Sequence, residues 1–189
     1  MAAKGHLFII SGPSGAGKST IIGTILRKRP QFRYSISYTT RLPRGNEQDG
    51  VDYHFISEAA FRKKIEAGEL AEWAEVHGRL YGTSATYIEE VLAVGQDVLL
   101  DIDVQGAKRL FSKYPEAISV FVAAPDRAEL RKRLMKRGTD SPEAVERRLK
   151  DAEEEMAQAH LYDHVLVNDD LNQTVSGLEA ILEKAYNDG

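Results

Sequence analysis

The stretch Gly12-Pro13-Ser14-Gly15-Ala16-Gly17-Lys18-Ser19 has the spacing G-x-x-x-x-G-K-[ST], which suits a polyphosphate. Its glycines let successive backbone N–H groups turn inward around an anion with no Cβ in the way. The helix that follows adds partial positive charge at the same point. Lys18 is placed to reach the β- and γ-phosphates, and the Ser19 hydroxyl to take a Mg²⁺ position. The loop follows the apolar run Leu7-Phe8-Ile9-Ile10 and opens into helix-like spacing to about Lys28. Strand, loop and helix in that order are the context this chemistry requires.

Further groups could meet an anion. On a helix from about Asp126 to Lys136, Leu130 and Leu134 mark the inner stripe, and Arg137 continues it while Arg131 and Lys132 point away. On the next helix Val145, Leu149, Ala152 and Met156 define the buried side; Arg148 shares it and Arg147 falls opposite. Two inward arginines are costly unless an anion meets them, the alternative being that both only snorkel past the apolar stripe. Arg41 and Arg44 make a second cationic pair on a turn, with Tyr53 and Tyr81 in the same region. Guanidinium forks and phenol hydroxyls suit a phosphate monoester. Glu72, read from alternation alone, is a surface acid on a half-exposed strand.

The elements that must position these groups read as an α/β protein. Val98-Leu99-Leu100-Asp101-Ile102-Asp103 and Ile118 to Ala123 lack alternation, as strands buried on both faces of a parallel sheet do. Asp101 and Asp103 end the first of these, at the edge where open α/β sheets bind ligands. Phe32 to Thr40, Val51 to Ile56, Leu70 to Val76 and Leu80 to Thr83 read as strands, so residues 34–83 form a mostly antiparallel patch inserted after the first unit. Helices are expected from Ser57 to about Ala67, Ser84 to Val94, Val104 to Lys113, from Ser141-Pro142 onward, and at the end of the chain to about Tyr186. Val165-Leu166-Val167 gives a last short strand.

With 189 residues the chain suits one α/β core with insertions. Its composition, 42% hydrophobic and 29% charged, is that of a soluble globular protein, and no apolar run approaches a membrane span. A net charge of −4 argues against a protein that coats nucleic acid. No leader peptide is expected from the first residues, and the lack of cysteine excludes disulfides and suits a cytoplasmic location.

Taken together, Gly12 to Ser19, Ser37-Tyr38-Thr39-Thr40-Arg41-Leu42-Pro43-Arg44, Glu47 to Tyr53, Glu72-Trp73-Ala74, Tyr81-Gly82-Thr83, Asp101 to Gly106, Arg137-Gly138 and Val167 to Asp170 resemble guanylate kinase of the bacterial kind. The resemblance covers essentially the whole chain. It implies the P-loop kinase fold: a central parallel sheet flanked by helices (residues 1–33, 84–125 and 161–189), a GMP-binding insert (34–83) and a helical lid (126–160). It implies reversible transfer of a phosphoryl group from ATP to GMP or dGMP with Mg²⁺.

Residue by residue, it puts ATP on Gly12, Pro13, Ser14, Gly15, Ala16, Gly17, Lys18, Ser19 and Thr20, with Asn168 near the adenine. GMP phosphate contacts fall to Arg41, Arg44, Tyr53 and Tyr81, and base contacts to Ser37, Glu72, Thr83 and Asp103. That set suits guanine, whose N1–H and N2 amino group donate and whose O6 accepts. Lys18, Arg44, Arg137 and Arg148 would surround the transferring group, and Ser19 the metal. Asp101 either stands near the metal's water shell or orients an arginine. Domains of this kind also occur as phosphopeptide-binding modules without turnover, but the intact loop with Lys18 and Ser19 argues for catalysis. A kinase of the same fold for another small phosphorylated acceptor is opposed by the joint presence of Glu72, Thr83 and Asp103. Oligomeric state is left open.

Overall fold

A computed structural model describes residues 4–76, 78–136 and 141–187. In chain order these form β1 (Leu7–Ser11), α1 (Lys18–Lys28), β2 (Arg33–Tyr34), β3 (Tyr38–Thr39), β4 (His54–Phe55), α2 (Glu58–Glu66), β5 (Leu70–Val76) and β6 (Arg79–Ser84). There follow α3 (Ala85–Ala93), β7 (Val98–Asp101), α4 (Val104–Lys113), β8 (Ile118–Ala123), α5 (Arg127–Lys136), α6 (Pro142–Met156), β9 (His164–Val167) and α7 (Leu171–Asn187). The fold is α/β, with a five-stranded central sheet flanked by helices and a second sheet of four strands.

The chain divides into two compact units, and the boundary falls inside β1 after Leu7 and inside β7 after Leu100. The first unit holds the residues up to Leu7, 31–100 and 105–117. Its second sheet runs β4-β3-β6-β5. The hairpin of β5 and β6 is antiparallel, with Glu72 opposite Thr83 and a register shift between Leu70 and Glu72. Phe61, Leu70 and Leu80 form its buried cluster, with Tyr38, Ile56, Ile65 and Trp73 packed against it. Serines cap the helices: Ser57 accepts from Ala60 N at 3.2 Å and Ser84 from Tyr87 N at 3.2 Å.

Two expectations need correction here. The run from Phe32 to Thr40 is not one strand. Tyr34 pairs with Leu99 of the central sheet, whereas Tyr38 pairs with Gly82 and His54 of the second, so the chain changes partners across Ser35–Ser37. Of Val51 to Ile56 only His54 and Phe55 are strand, and they lie parallel to β3, which makes the insert's sheet mixed. Asp52 and Asp49 explain the shortening, because their carboxylates accept from Gln48 N and Phe55 N, each at 2.8 Å, and fold the preceding residues into turns.

The second unit holds 8–30, 101–104 and the residues from Ile118 onward. Here β1 pairs in parallel with β8, and β8 with β9. Phe8, Ile9, Ile10 and Phe121 are wholly buried; burying such side chains contributes about 1.5–3 kcal/mol each. Helix α1 is tied to α7 by Lys28 to Glu179 at 2.9 Å and by an ion pair between Arg29 and Glu183. Helices α5 and α6 share a core of Leu130, Leu134, Val145, Leu149 and Ala152. Ser141 caps α6 by accepting from Ala144 N at 3.3 Å, with Pro142 in its first turn. Met156, expected on the buried side, is 37% exposed, so the inner stripe of α6 stops at Ala152.

Candidate active site

In the second unit, β1 ends at Ser11 and the loop begins. Gly12, Gly15 and Gly17 have φ of 137°, 91° and 98°, backbone that other residues adopt only under strain. Neighbours also forbid side chains there. A Cβ on Gly12 would strike the carbonyl of Val122, one on Gly15 would stand 2.9 Å from Leu130 Cδ1, and one on Gly17 would strike Asn168 Nδ2. Lys18 Nζ donates to the carbonyls of Gly12 at 2.5 Å and Pro13 at 3.3 Å, so the ammonium lies over the loop. Ser19 Oγ donates to Asp101 Oδ2 at 3.4 Å. Burial pushes the Asp101 carboxyl up, and the Lys18 charge and the Ser19 hydroxyl pull against it. Ser14, Ser19 and Thr20 are exposed, Pro13 and Ala16 buried.

Two side chains brace this loop. Buried Asn168, just past β9, donates from Nδ2 to Ala16 O at 2.7 Å, and its Oδ1 accepts from Thr174 Oγ1 at 3.2 Å. Arg133 of α5 donates to Asn168 O at 2.9 Å and to Glu129 Oε1 at 3.0 Å. In the sequence Arg133 stands out only by its Glu129–Arg133 spacing of one helical turn. On α6, Arg148 is half-buried and Arg147 exposed. Arg137 lies outside the described residues. Half-buried Glu155 was also missed: burial raises its carboxyl to about 7, with Lys18 opposing and Asp103 and Asp151 adding to the rise. Asp103 belongs to this unit, half-buried, within electrostatic reach of Glu155 and Tyr162.

The first unit holds a cluster of a different kind. Arg41 is 8% exposed and forks onto Glu47, NH1 to Oε2 at 2.6 Å and NH2 to Oε1 at 2.9 Å. NH1 also donates to Leu42 O at 2.9 Å. The guanidinium lies 5.0 Å from the centre of the Tyr53 ring and 5.6 Å from that of Phe55. Tyr81, within electrostatic reach of Arg41, meets Tyr53 edge-on at 5.9 Å. Arg44 is exposed, and its backbone N–H donates to Glu47 Oε2 at 2.7 Å. Glu47 therefore organises the whole turn, and the guanidinium beside it holds its carboxyl below the usual range. Its signal in the sequence is an acid three residues after one arginine and six after another.

Glu72 corrects the reading from alternation. It is 5% exposed, on the same face of β5 as Leu70 and Ala74, and its Oε1 accepts from the wholly buried Thr83 Oγ1 at 2.6 Å. A buried carboxylate needs such a donor. Ser37 is half-buried, and its carbonyl accepts from His54 N at 2.9 Å.

Residues 4–185 match the family described as "Guanylate kinase". The chain belongs to the guanylate kinase family. Guanylate kinase of Symbiobacterium thermophilum is 52% identical over 184 residues, covering 96% of this chain and 87% of that relative. Guanylate kinase of Dechloromonas aromatica is 47% identical over 178 residues, covering 94% of this chain and 88% of the other. The crystal structure of guanylate kinase from Anaplasma phagocytophilum superposes with a TM-score of 0.81 at 31% identity, covering 97% of this chain and 87% of that one. In this guanylate kinase family member, the Gly12–Ser19 loop, the Arg41–Glu47 fork and the Glu72–Thr83 pair therefore lie in a fold that a solved relative shares.

Proposed function

We propose that this enzyme transfers the γ-phosphoryl group of ATP reversibly to GMP or dGMP, giving ADP and GDP, with the donor on the Gly12–Thr20 loop and the acceptor on the Arg41–Thr83 cluster. The observation that carries the acceptor is Glu72, a carboxylate 5% exposed and bonded at 2.6 Å to Thr83. A carboxylate can only accept, so it suits the N1–H and N2 amino group of guanine and mispairs with N1 of adenine. Ser37, Thr83 and Asp103 complete the base contacts. Arg41, Arg44, Tyr53 and Tyr81 take the phosphate of GMP, and Glu47 holds Arg41 in a fixed fork.

The acceptor is itself a phosphate with a second pKa of about 6, so its oxygen is largely deprotonated near neutral pH and no general base is required. The protein's work is alignment and charge stabilisation. Lys18, Arg44, Arg137 and Arg148 surround the transferring group, and Asn168 fixes the loop on the adenine side. Residues 126–160 act as a lid that completes the cationic shell once GMP is in place, which limits transfer to water.

Mg²⁺ suits the donor set. Ser19 Oγ and Asp101 Oδ2 are 3.4 Å apart, and among the described residues no three acidic or imidazole side chains gather into an all-protein cage. This ion binds through one or two protein oxygens together with substrate phosphates and waters. When bound it neutralises charge on the β- and γ-phosphate oxygens; Ser19 would hold it, with Asp101 acting through water. No helix among the described residues is long and apolar enough to cross a membrane. The substrates are free nucleotides, and the reaction belongs to the cytoplasm.

The test is ADP formation from Mg-ATP with GMP, AMP, UMP or no acceptor, for wild type and Lys18→Ala. Turnover is expected with GMP alone and is lost in the variant. Tight GMP binding with no turnover would place the chain among binding modules instead.

A further inference from the structure

Gly106 is the third residue of α4. Glycine inside a helix is less favourable than alanine because it has more backbone freedom to lose, so its presence here calls for a local cause. A Cβ built on Gly106 would lie 2.5 Å from Glu72 Oε2, 3.0 Å from Glu72 Cδ and 3.5 Å from Glu72 Oε1. Both residues belong to the first unit. The Glu72 carboxylate is thus set between Thr83, which donates to Oε1 at 2.6 Å, and a helix position with no side chain.

We propose that Gly106 is a positioning residue for acceptor specificity: having no side chain, it admits the Glu72 carboxylate to the place from which that carboxylate reads guanine. The proposal rests on the GMP reading above. An alanine at 106 would be met by the far end of a flexible side chain, not by backbone, so the fold can accept it by turning Glu72 aside. The same turn removes Oε2 from its place and disturbs the bond from Thr83. Base recognition, not folding, then takes the effect of the added methyl group. The base edge most affected is the one that donates twice, N1–H and the 2-amino group. Hypoxanthine lacks that amino group, so IMP has less to lose than GMP.

The experiment compares wild type, Gly106→Ala, Glu72→Gln and the double variant, as the full chain. Calorimetry gives Kd for GMP, IMP and ATP; thermal melts give stability. Expected for Gly106→Ala are GMP binding weaker by about tenfold or more, a smaller loss for IMP, ATP binding within about twofold and Tm equal or higher. In the Glu72→Gln background the added alanine should weaken GMP further by less than about twofold, because the two changes act through one group. GMP affinity within about twofold of wild type in Gly106→Ala would overturn the proposal. So would a joint loss of GMP and ATP binding with lowered Tm, which marks a packing residue. The kinase reading is judged separately, by turnover of the wild type: a wild type that binds GMP but does not phosphorylate it sinks that reading, while the Kd ratio still decides Gly106. A wild type that binds GMP no better than AMP overturns both.

Discussion

The two units build their polar sites in different ways. The loop of the second unit is built from backbone: three glycines at positive φ, held from outside by Asn168, Arg133 and the side chains of α5. The cluster of the first unit is built from side chains satisfied by each other, Arg41 by Glu47 and Glu72 by Thr83. A backbone cradle reads charge and little else, since every triphosphate presents the same oxygens. A side-chain cluster can read a particular base and a monoester, because its donors and acceptors differ in kind. Substitutions in the backbone loop should therefore change rate for every acceptor, and those in the side-chain cluster should change which acceptor is used.

The largest effect is expected at Lys18. Lys18→Ala should lower kcat by about 10²–10³ or more, the scale for removing one donor to developing charge, with GMP affinity kept within about twofold. Weakening of GMP by the same factor would break the separation between the regions. Arg148→Ala should also cost kcat orders of magnitude, while Arg147→Ala, exposed on the same helix, changes little. Equal small losses in both would remove the lid assignment.

These contrasts bear on what a sequence displays. The loop was legible because its requirements are local: glycine where φ is positive, a lysine and a hydroxyl at fixed offsets, a strand before and a helix after. The helix starts at Ser57, Ser84 and Ser141 were legible for the same reason, since each serine caps its helix by bonding within three residues. Glu72 was not, since its burial depends on a hydroxyl eleven residues away brought opposite by a shifted register. The break at Ser35–Ser37 was hidden because Tyr34 and Tyr38 choose partners far along the chain, Leu99 and Gly82. Alternation says which residues share a face; it does not say which sheet the face belongs to. Glu47 lay in plain view between two arginines and a turn, but its role follows only from the fork it makes.

The first unit offers the next sharpening of the comparison. Arg41→Ala should raise KM for GMP by about 10–100-fold, from loss of charge-assisted hydrogen bonds worth about 1.5–3 kcal/mol. Glu47→Gln keeps the shape but removes the charge that sets the fork, and should raise KM for GMP by about tenfold with KM for ATP unchanged. Glu72→Gln should weaken GMP by a similar factor and leave ATP alone. If ATP affinity falls equally in either, the residue holds the fold and does not serve the acceptor.

The smallest effect separates the regions by charge. Where the first unit sets its buried Arg41 against Glu47, the second sets Glu155 within electrostatic reach of Lys18, Asp103 and Asp151, and burial raises the Glu155 carboxyl to about 7. In the unfolded chain that group titrates near 4.3. Below that value Glu155 is protonated in both states and its full contribution to stability is present. As pH rises toward 7 the unfolded chain loses the proton first, so folding is progressively disfavoured, and the loss levels off above the folded value. Glu155→Gln keeps a neutral group at every pH. Its Tm in the absence of nucleotide should therefore match wild type near pH 4.5 and exceed it by roughly a few degrees at pH 8, given about 2–4 °C per kcal/mol for a chain of this size. A variant less stable than wild type at pH 8 would mean that attraction to Lys18 outweighs burial and repulsion from the two aspartates, and Glu155 would then be held by a cation as Glu47 is held by Arg41.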